Sequence, residues 1–248
     1  MEGKKILFIS TNLYPVRGGD TIYSAGIVYR LAENNELTLI TLGDNKGIDN
    51  ADIFKKVHAI FSFPRLKGKR YSLIKLIFNR SLLQDYSYSA KKFLKKNDLD
   101  LYNLIVIDHL RAYSICKPIF AKKLNKAIIT YVAHNVESIN QKEKLDLLPN
   151  KRFLSSLSNN VFEIEKSILN KCDTIWALNE NDLKTLTRDH HKNNAVIKPY
   201  YPWIRVKSIQ NLKTNTSELL ILGSLNWYPN IQGIVHFVKN IFPKVIAS

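Results

Sequence analysis

Short apolar runs alternate with helical stretches along most of the chain, and this alternation constrains the fold more than any other feature. KILFIS (5–10), ELTLITL (36–42), KVHAIFSF (56–63), LYNLIVID (101–108), KAIITYVAHN (126–135), CDTIWAL (172–178) and NAVIKP (194–199) are predicted strands. Helices are predicted over about 20–34, 70–97, 111–124, 151–170 and 180–190. Several of the strands are apolar on successive residues, so both of their faces must be covered. Buried strands joined by helices give an α/β fold, a parallel sheet with helices on both faces.

The rhythm breaks at PYYPWIRV (199–206) and the polar KSIQNLKTNTS (207–217), then restarts in ELLILGSLNWYPNIQGIVHFVKNIFPKVIAS as strand, glycine turn and helix. The expected organisation is a domain over 1–206, a linker over 207–217 and a single strand-helix unit over 218–248. One such unit cannot bury a core of its own. It either docks on the first domain or opens a second.

The longest uncharged apolar runs, LIVI and AIITYVA, fall far short of the ~20 residues of a membrane span. MEGKKILFIS breaks into polar STN with no small-residue cleavage site, so it reads as a strand of a cytoplasmic protein. Cys116 and Cys172 are isolated, which suggests neither a disulfide framework nor a zinc site. His190 and His191 are adjacent but lack a third ligand, and no metal is expected.

Charge is the unusual quantity: 37 Lys and Arg against 21 Asp and Glu, a net +16. Such a surface favours anionic partners. Ten basic residues lie between Arg65 and Lys96 against one acid, Asp85, with apolar residues interleaved. This segment is either a solvated helical face or a patch that meets an anionic membrane surface. Nucleic acid is not an expected partner, because no recognised module accompanies the charge.

TNLYPVRGGD (11–20) follows the first strand and carries Gly18 and Gly19 into a helix. Ligands of parallel α/β sheets sit outside the carboxyl ends of the strands. Glycine permits positive φ and close approach to the backbone, and a helix start offers unpaired N–H groups, a combination suited to phosphate. The spacing is neither that of the dinucleotide fingerprint nor that of a P-loop, and structural turns account for most Gly-Gly pairs. A dinucleotide oxidoreductase would want an acid near the second strand's end; Asp44 is available, but the glycine spacing is wrong.

KKILFISTNLYPVRGGD, RLAENNELTLITL, AHNVES, ILNKCDTIWALNENDLKTL and LLILGSLNWYPNIQGIVHFVKNIFPKV, in that order, resemble glycosyltransferase family 4, enzymes of the GT-B fold. The resemblance implies a Rossmann-like amino-terminal domain and the first strand and helix of a carboxyl-terminal donor domain. It implies a nucleotide-sugar donor, a lipid-linked or glycan acceptor, retention at the transferred sugar, and no cofactor or essential metal. Gly18 and Gly19, with Gly223 and Ser224, would contact the donor diphosphate. His134 would hydrogen-bond the transferring sugar. Arg17, Arg111, Asn135 and Glu137 would line the acceptor side; Asp108 would either join them or cap a helix. The family's donor motif lies in the second domain beyond the stretch matched here. The chain therefore reads as an amino-terminal half, peripheral at the inner face of a membrane and weakly active alone. The alternative is a non-catalytic binding subunit that needs a partner for donor chemistry.

Overall fold

A computed structural model of the chain describes residues 2–43, 47–66, 85–146, 151–188, 193–201, 219–223, 225 and 228–246. Most of the basic 65–96 segment, the 207–217 linker, Asp44, His190, His191 and Ser224 lie outside the described residues. The chain divides into two units, Met1–Ile204 and Arg205–Ser248.

In the first unit, seven strands form one sheet: β1 (Lys5–Ser10), β2 (Glu36–Leu42), β3 (Ala59–Phe63), β4 (Leu104–Asp108), β5 (Ile128–Ala133), β6 (Thr174–Ala177) and β7 (Asn193–Val196). All pairings are parallel, and the order is β3-β2-β1-β4-β5-β6-β7. The chain starts in the middle, runs outward to β3, then crosses back to β4 beside β1. That reversal leaves a crevice at the carboxyl ends of β1 and β4, the general ligand position of open α/β sheets.

Successive residues of a strand point to opposite faces, and both faces are apolar here. Ile6 and Phe8 pack beneath α1 (Gly19–Ala32) with Tyr23, Ala25 and Val28. Leu7 and Ile9 belong to the opposite layer, with α2 (Tyr88–Lys96), α3 (Tyr113–Phe120), α5 (Lys151–Lys171) and α6 (Glu180–Thr187). Each fully buried Leu, Ile or Phe contributes about 1.5–3 kcal/mol, so the central strands form a firm floor under the crevice.

The expected β1 and β2 coincide with the observed ones. The other strands are shorter, since the outer residues of the expected runs fall in turns, bends, irregular backbone and, at Leu101, a 3-10 helix. A 3-10 turn, Leu110–Ala112, leads into α3. Helix α4 (Glu137–Asp146) was not expected; its sequence ESINQKEKLD has too few apolar residues to show a stripe. No described helix is long and apolar enough to cross a membrane.

In the second unit, α7 (Tyr228–His236) continues through a π turn, Phe237–Ile241, into α8 (Phe242–Ile246). The strand expected over 218–222 does not form at residues 219–222. A strand needs a neighbour to take its N–H and C=O groups, and no described residue supplies one.

Candidate functional site

The crevice is built from strand ends. Register pairs Ser10 of β1 with Asp108 of β4, and Asp108 with Val132 of β5. Ser10 Oγ donates to Asp108 Oδ2 at 2.6 Å. His134, just past β5, lies with Nε2 2.8 Å from Asp108 Oδ1. Asp108 is fully buried and His134 is 7% exposed.

Burial alone would raise the Asp108 pKa. The His109 and His134 imidazoles, with hydrogen bonds from His134 and Ser10, outweigh it and hold the carboxyl at about 2. An ionised Asp108 can only accept, so the His134 proton must sit on Nε2. Ser24 Oγ on α1 lies 3.3 Å from the same nitrogen while donating to the Asp20 carbonyl. In the neutral ring, Nδ1 then keeps its lone pair, and it has no partner among the described residues. The edge of Tyr23 closes one side of His134, its ring centroid 6.0 Å away.

His109 stacks on His134 with ring centroids 3.5 Å apart and planes 14° from parallel. Its backbone has φ 66° and ψ 148°, close to a region otherwise reserved for glycine. Such a conformation costs about 1–3 kcal/mol and persists only where surroundings impose it. Here the His109 amide donates to Val132 O and its carbonyl accepts from Ala112. Burial pushes the His109 pKa down to about 4 despite the nearby Asp108 carboxylate.

Asp108, His109 and His134 each offer a ligand atom, all within 4.8 Å of one another, and could together hold a metal ion. Two of the three, Asp108 Oδ1 and His134 Nε2, are already bonded to each other. His134 Nδ1 and His109 Nε2 are the ligand atoms of this group that have no partner among the described residues.

The glycine loop reaches the same crevice from α1. Gly18 is the N-cap with φ −103°, and neither Gly18 nor Gly19 has the positive φ that their pairing suggested. A Cβ on Gly18 would meet Asp20 Oδ1 at 2.7 Å, so a larger residue there would have to turn the exposed Asp20 side chain aside. Gly19 has open space above it. Thr21 Oγ1 accepts from the Arg17 and Gly18 amides at 3.0 and 2.9 Å and donates to Gly18 O. Asp20 Oδ1 accepts from the Thr21 amide at 2.8 Å. The Gly19 and Asp20 amides remain without a partner among the described residues. Ser24, one turn into α1, bonds the Asp20 carbonyl and lies 3.3 Å from His134 Nε2, which sets the helix start close to the imidazoles.

The remaining expected residues fall as follows. Arg17, Arg111 and Asn135 are exposed, and Glu137 opens α4. Asp108 does not cap a helix; both its oxygens go to Ser10 and His134. Gly223 belongs to the second unit, where its Cα faces Asn230.

Sequence reading missed Ser10, Ser24 and Glu165. Glu165 on α5 is 3% exposed. Its carboxylate accepts from the Glu137 and Ser138 amides at 2.7 and 3.1 Å, and from Ser138 Oγ. It thereby caps α4 from another helix and fixes the segment that follows His134. The only signal was a glutamate at a core-facing position of α5. Arg65, counted within the basic segment, turns inward to the Thr11 carbonyl and lies 3.4 Å from Asp85.

No protein-family model and no curated protein sequence matches the chain. Solved structures do. Sucrose-phosphate synthase from Thermosynechococcus elongatus matches with TM-score 0.50 and 13% identity, over 79% of this chain and 48% of that one. Anabaena Alr3699/HepE in complex with UDP-glucose matches with TM-score 0.46 and 13% identity, over 79% and 44%. Phytolacca americana UGT2, complexed with UDP-2fluoro-glucose and pterostilbene, matches with TM-score 0.45 and 12% identity, over 81% and 55%. This chain thus spans about half the length of the structures it matches. The fold is a Rossmann-like α/β sheet, shared with the sucrose-phosphate synthase structure.

Proposed function

We propose that this chain is the acceptor-side part of a glycosyltransferase that uses a nucleotide sugar. The observation that carries the reading is the Asp108–His134 pair, fixed by Ser10 at the point where strand order reverses. A histidine with Nε2 held by a carboxylate presents Nδ1 to accept a hydrogen bond from a hydroxyl of the transferring sugar. The Gly19 and Asp20 amides at the α1 start would meet charge on the departing diphosphate. Asp20 opposes that charge, so exposed Arg17 beside the loop is assigned to balance it.

Arg111, Asn135 and Glu137 would border the acceptor, a glycan or a lipid-linked sugar. Gly223 and Ser224 would belong to the donor-binding side. Transfer would proceed with retention and without an essential metal, as in the family the sequence resembles, and would serve polysaccharide or glycolipid assembly at the cytoplasmic face of a membrane. Efficient transfer would require a second Rossmann-like domain to hold the nucleotide.

Calorimetric titration of the chain with UDP-glucose and a panel of other nucleotide sugars tests the reading. Saturable binding of one donor is expected, weakened about tenfold, or 1.4 kcal/mol, by His134→Ala. Absence of binding by every donor at millimolar concentration, both with the chain alone and after a carboxyl-terminal half is added, would overturn it. Binding without transfer, even after a carboxyl-terminal half is added, would favour the binding-subunit alternative.

A further inference from the structure

Three buried polar atoms at the crevice have no partner among the described residues: Thr11 Oγ1, His109 Nε2 and His134 Nδ1. Buried polar atoms are rarely left unpaired. These three follow β1, β4 and β5, which are adjacent in the sheet. Because Ser10 pairs with Asp108, Thr11 and His109 leave the sheet side by side. The two imidazoles are in stacking contact.

We infer that His109 and Thr11 form a second hydroxyl-binding position beside His134, so that the crevice takes two neighbouring hydroxyls of an uncharged sugar ring. This rests on the reading of His134 as a sugar-binding residue. The chemistry selects the ligand class. A hydroxyl both donates and accepts, so it satisfies an imidazole lone pair and a threonine hydroxyl alike. An apolar ligand would leave all three atoms unpaired. A phosphate or carboxylate would bring a second negative charge close to the Asp108 carboxylate, which His134 Nε2 contacts at 2.8 Å. As whole residues His109 and His134 are 9% and 7% exposed, and the His134 side chain only 3%, so the entering group must also be small. The glycine-like backbone of His109 is consistent with a position kept for its side chain at a cost to the fold.

Two measurements test this. The first follows the ring nitrogens of His109 and His134 by long-range proton–nitrogen NMR as UDP-glucose or UDP is added. UDP-glucose is expected to move both rings, and UDP neither. If His134 moves and His109 stays, the second position is refuted while the sugar-binding reading stands. If UDP-glucose binds and neither ring moves, both fall. If micromolar zinc shifts both rings and UDP-glucose shifts neither, the cluster is a metal site instead. The second measurement uses His109→Gly, which suits the backbone and removes the ring. It should keep or raise the melting temperature and weaken UDP-glucose about tenfold, with UDP affinity unchanged. Unaltered UDP-glucose affinity in that variant would overturn the inference.

Discussion

A carboxylate without exposed surface must be held by its neighbours or surrender its charge, and Asp108 is held. Asp108→Ala leaves the Ser10 hydroxyl buried without its acceptor and the His134 Nε2–H with only the longer Ser24 contact. Chemical denaturation should register a loss of about 3–5 kcal/mol. The same cluster sets an acid limit. His109 titrates at about 4 in the folded chain, against about 6.5 unfolded. Its contribution is full above pH ~6.5 and fades as pH falls toward ~4. Asp108 is lowered to about 2, so its contribution is full above pH ~4 and fades toward ~2. Urea unfolding across pH should show two successive declines, about 3–4 kcal/mol through the His109 range and about 2–3 kcal/mol through the Asp108 range, and His109→Gly should abolish the first. Gly19 offers a cleaner separation of fold from function. Its Cβ position is open and its φ ordinary, so Gly19→Ala should change stability by less than about 0.5 kcal/mol. UDP binding should nevertheless weaken if the diphosphate lies over that amide, and unaltered calorimetric affinity would remove the glycine loop from the donor site.

At the scale of elements, α4 depends on a residue from outside itself. Glu165→Ala removes three hydrogen bonds from the first turn of α4. A loss of about 1–3 kcal/mol is expected, with hydrogen exchange accelerated first at the Glu137 and Ser138 amides. Gly26 has a comparable role on α1, because its missing side chain admits the Tyr200 backbone. The same strap is tied down where Tyr23 donates to the Ile197 carbonyl. Elements of this kind mark the limit of sequence reading. β1 and β2 were legible because their apolar runs coincide with their paired lengths. Helix α4 was not, since its stability comes from a carboxylate 28 residues downstream rather than from an apolar stripe. The Ser10–Asp108 bond joins residues 98 apart and becomes visible only with the β1–β4 register. His134 stood out through a family resemblance, whereas its stacking on His109 depends on a backbone angle that composition does not announce.

For the whole molecule, charge dominates interactions at distance. A net +16 should draw the chain to anionic vesicles at low salt and release it as screening shortens the reach of each lysine. Flotation with phosphatidylserine vesicles checks this; binding that ignores salt would rule out the electrostatic account. Arg65 is spent on Thr11 and Asp85 and should contribute little. The second unit shows what the global pattern could not supply: an apolar run at 219–222 reads as a strand, yet without a paired neighbour it remains irregular.

The bond between Ser10 and Asp108 spans the seam where the two halves of the sheet meet. Splaying those strands would tear a buried charge from its partner, so the crevice cannot widen from below. Any accommodation of differently shaped guests must come from the loops above. Homologous chains should be able to exchange guests by altering those loops while leaving the stitched floor alone.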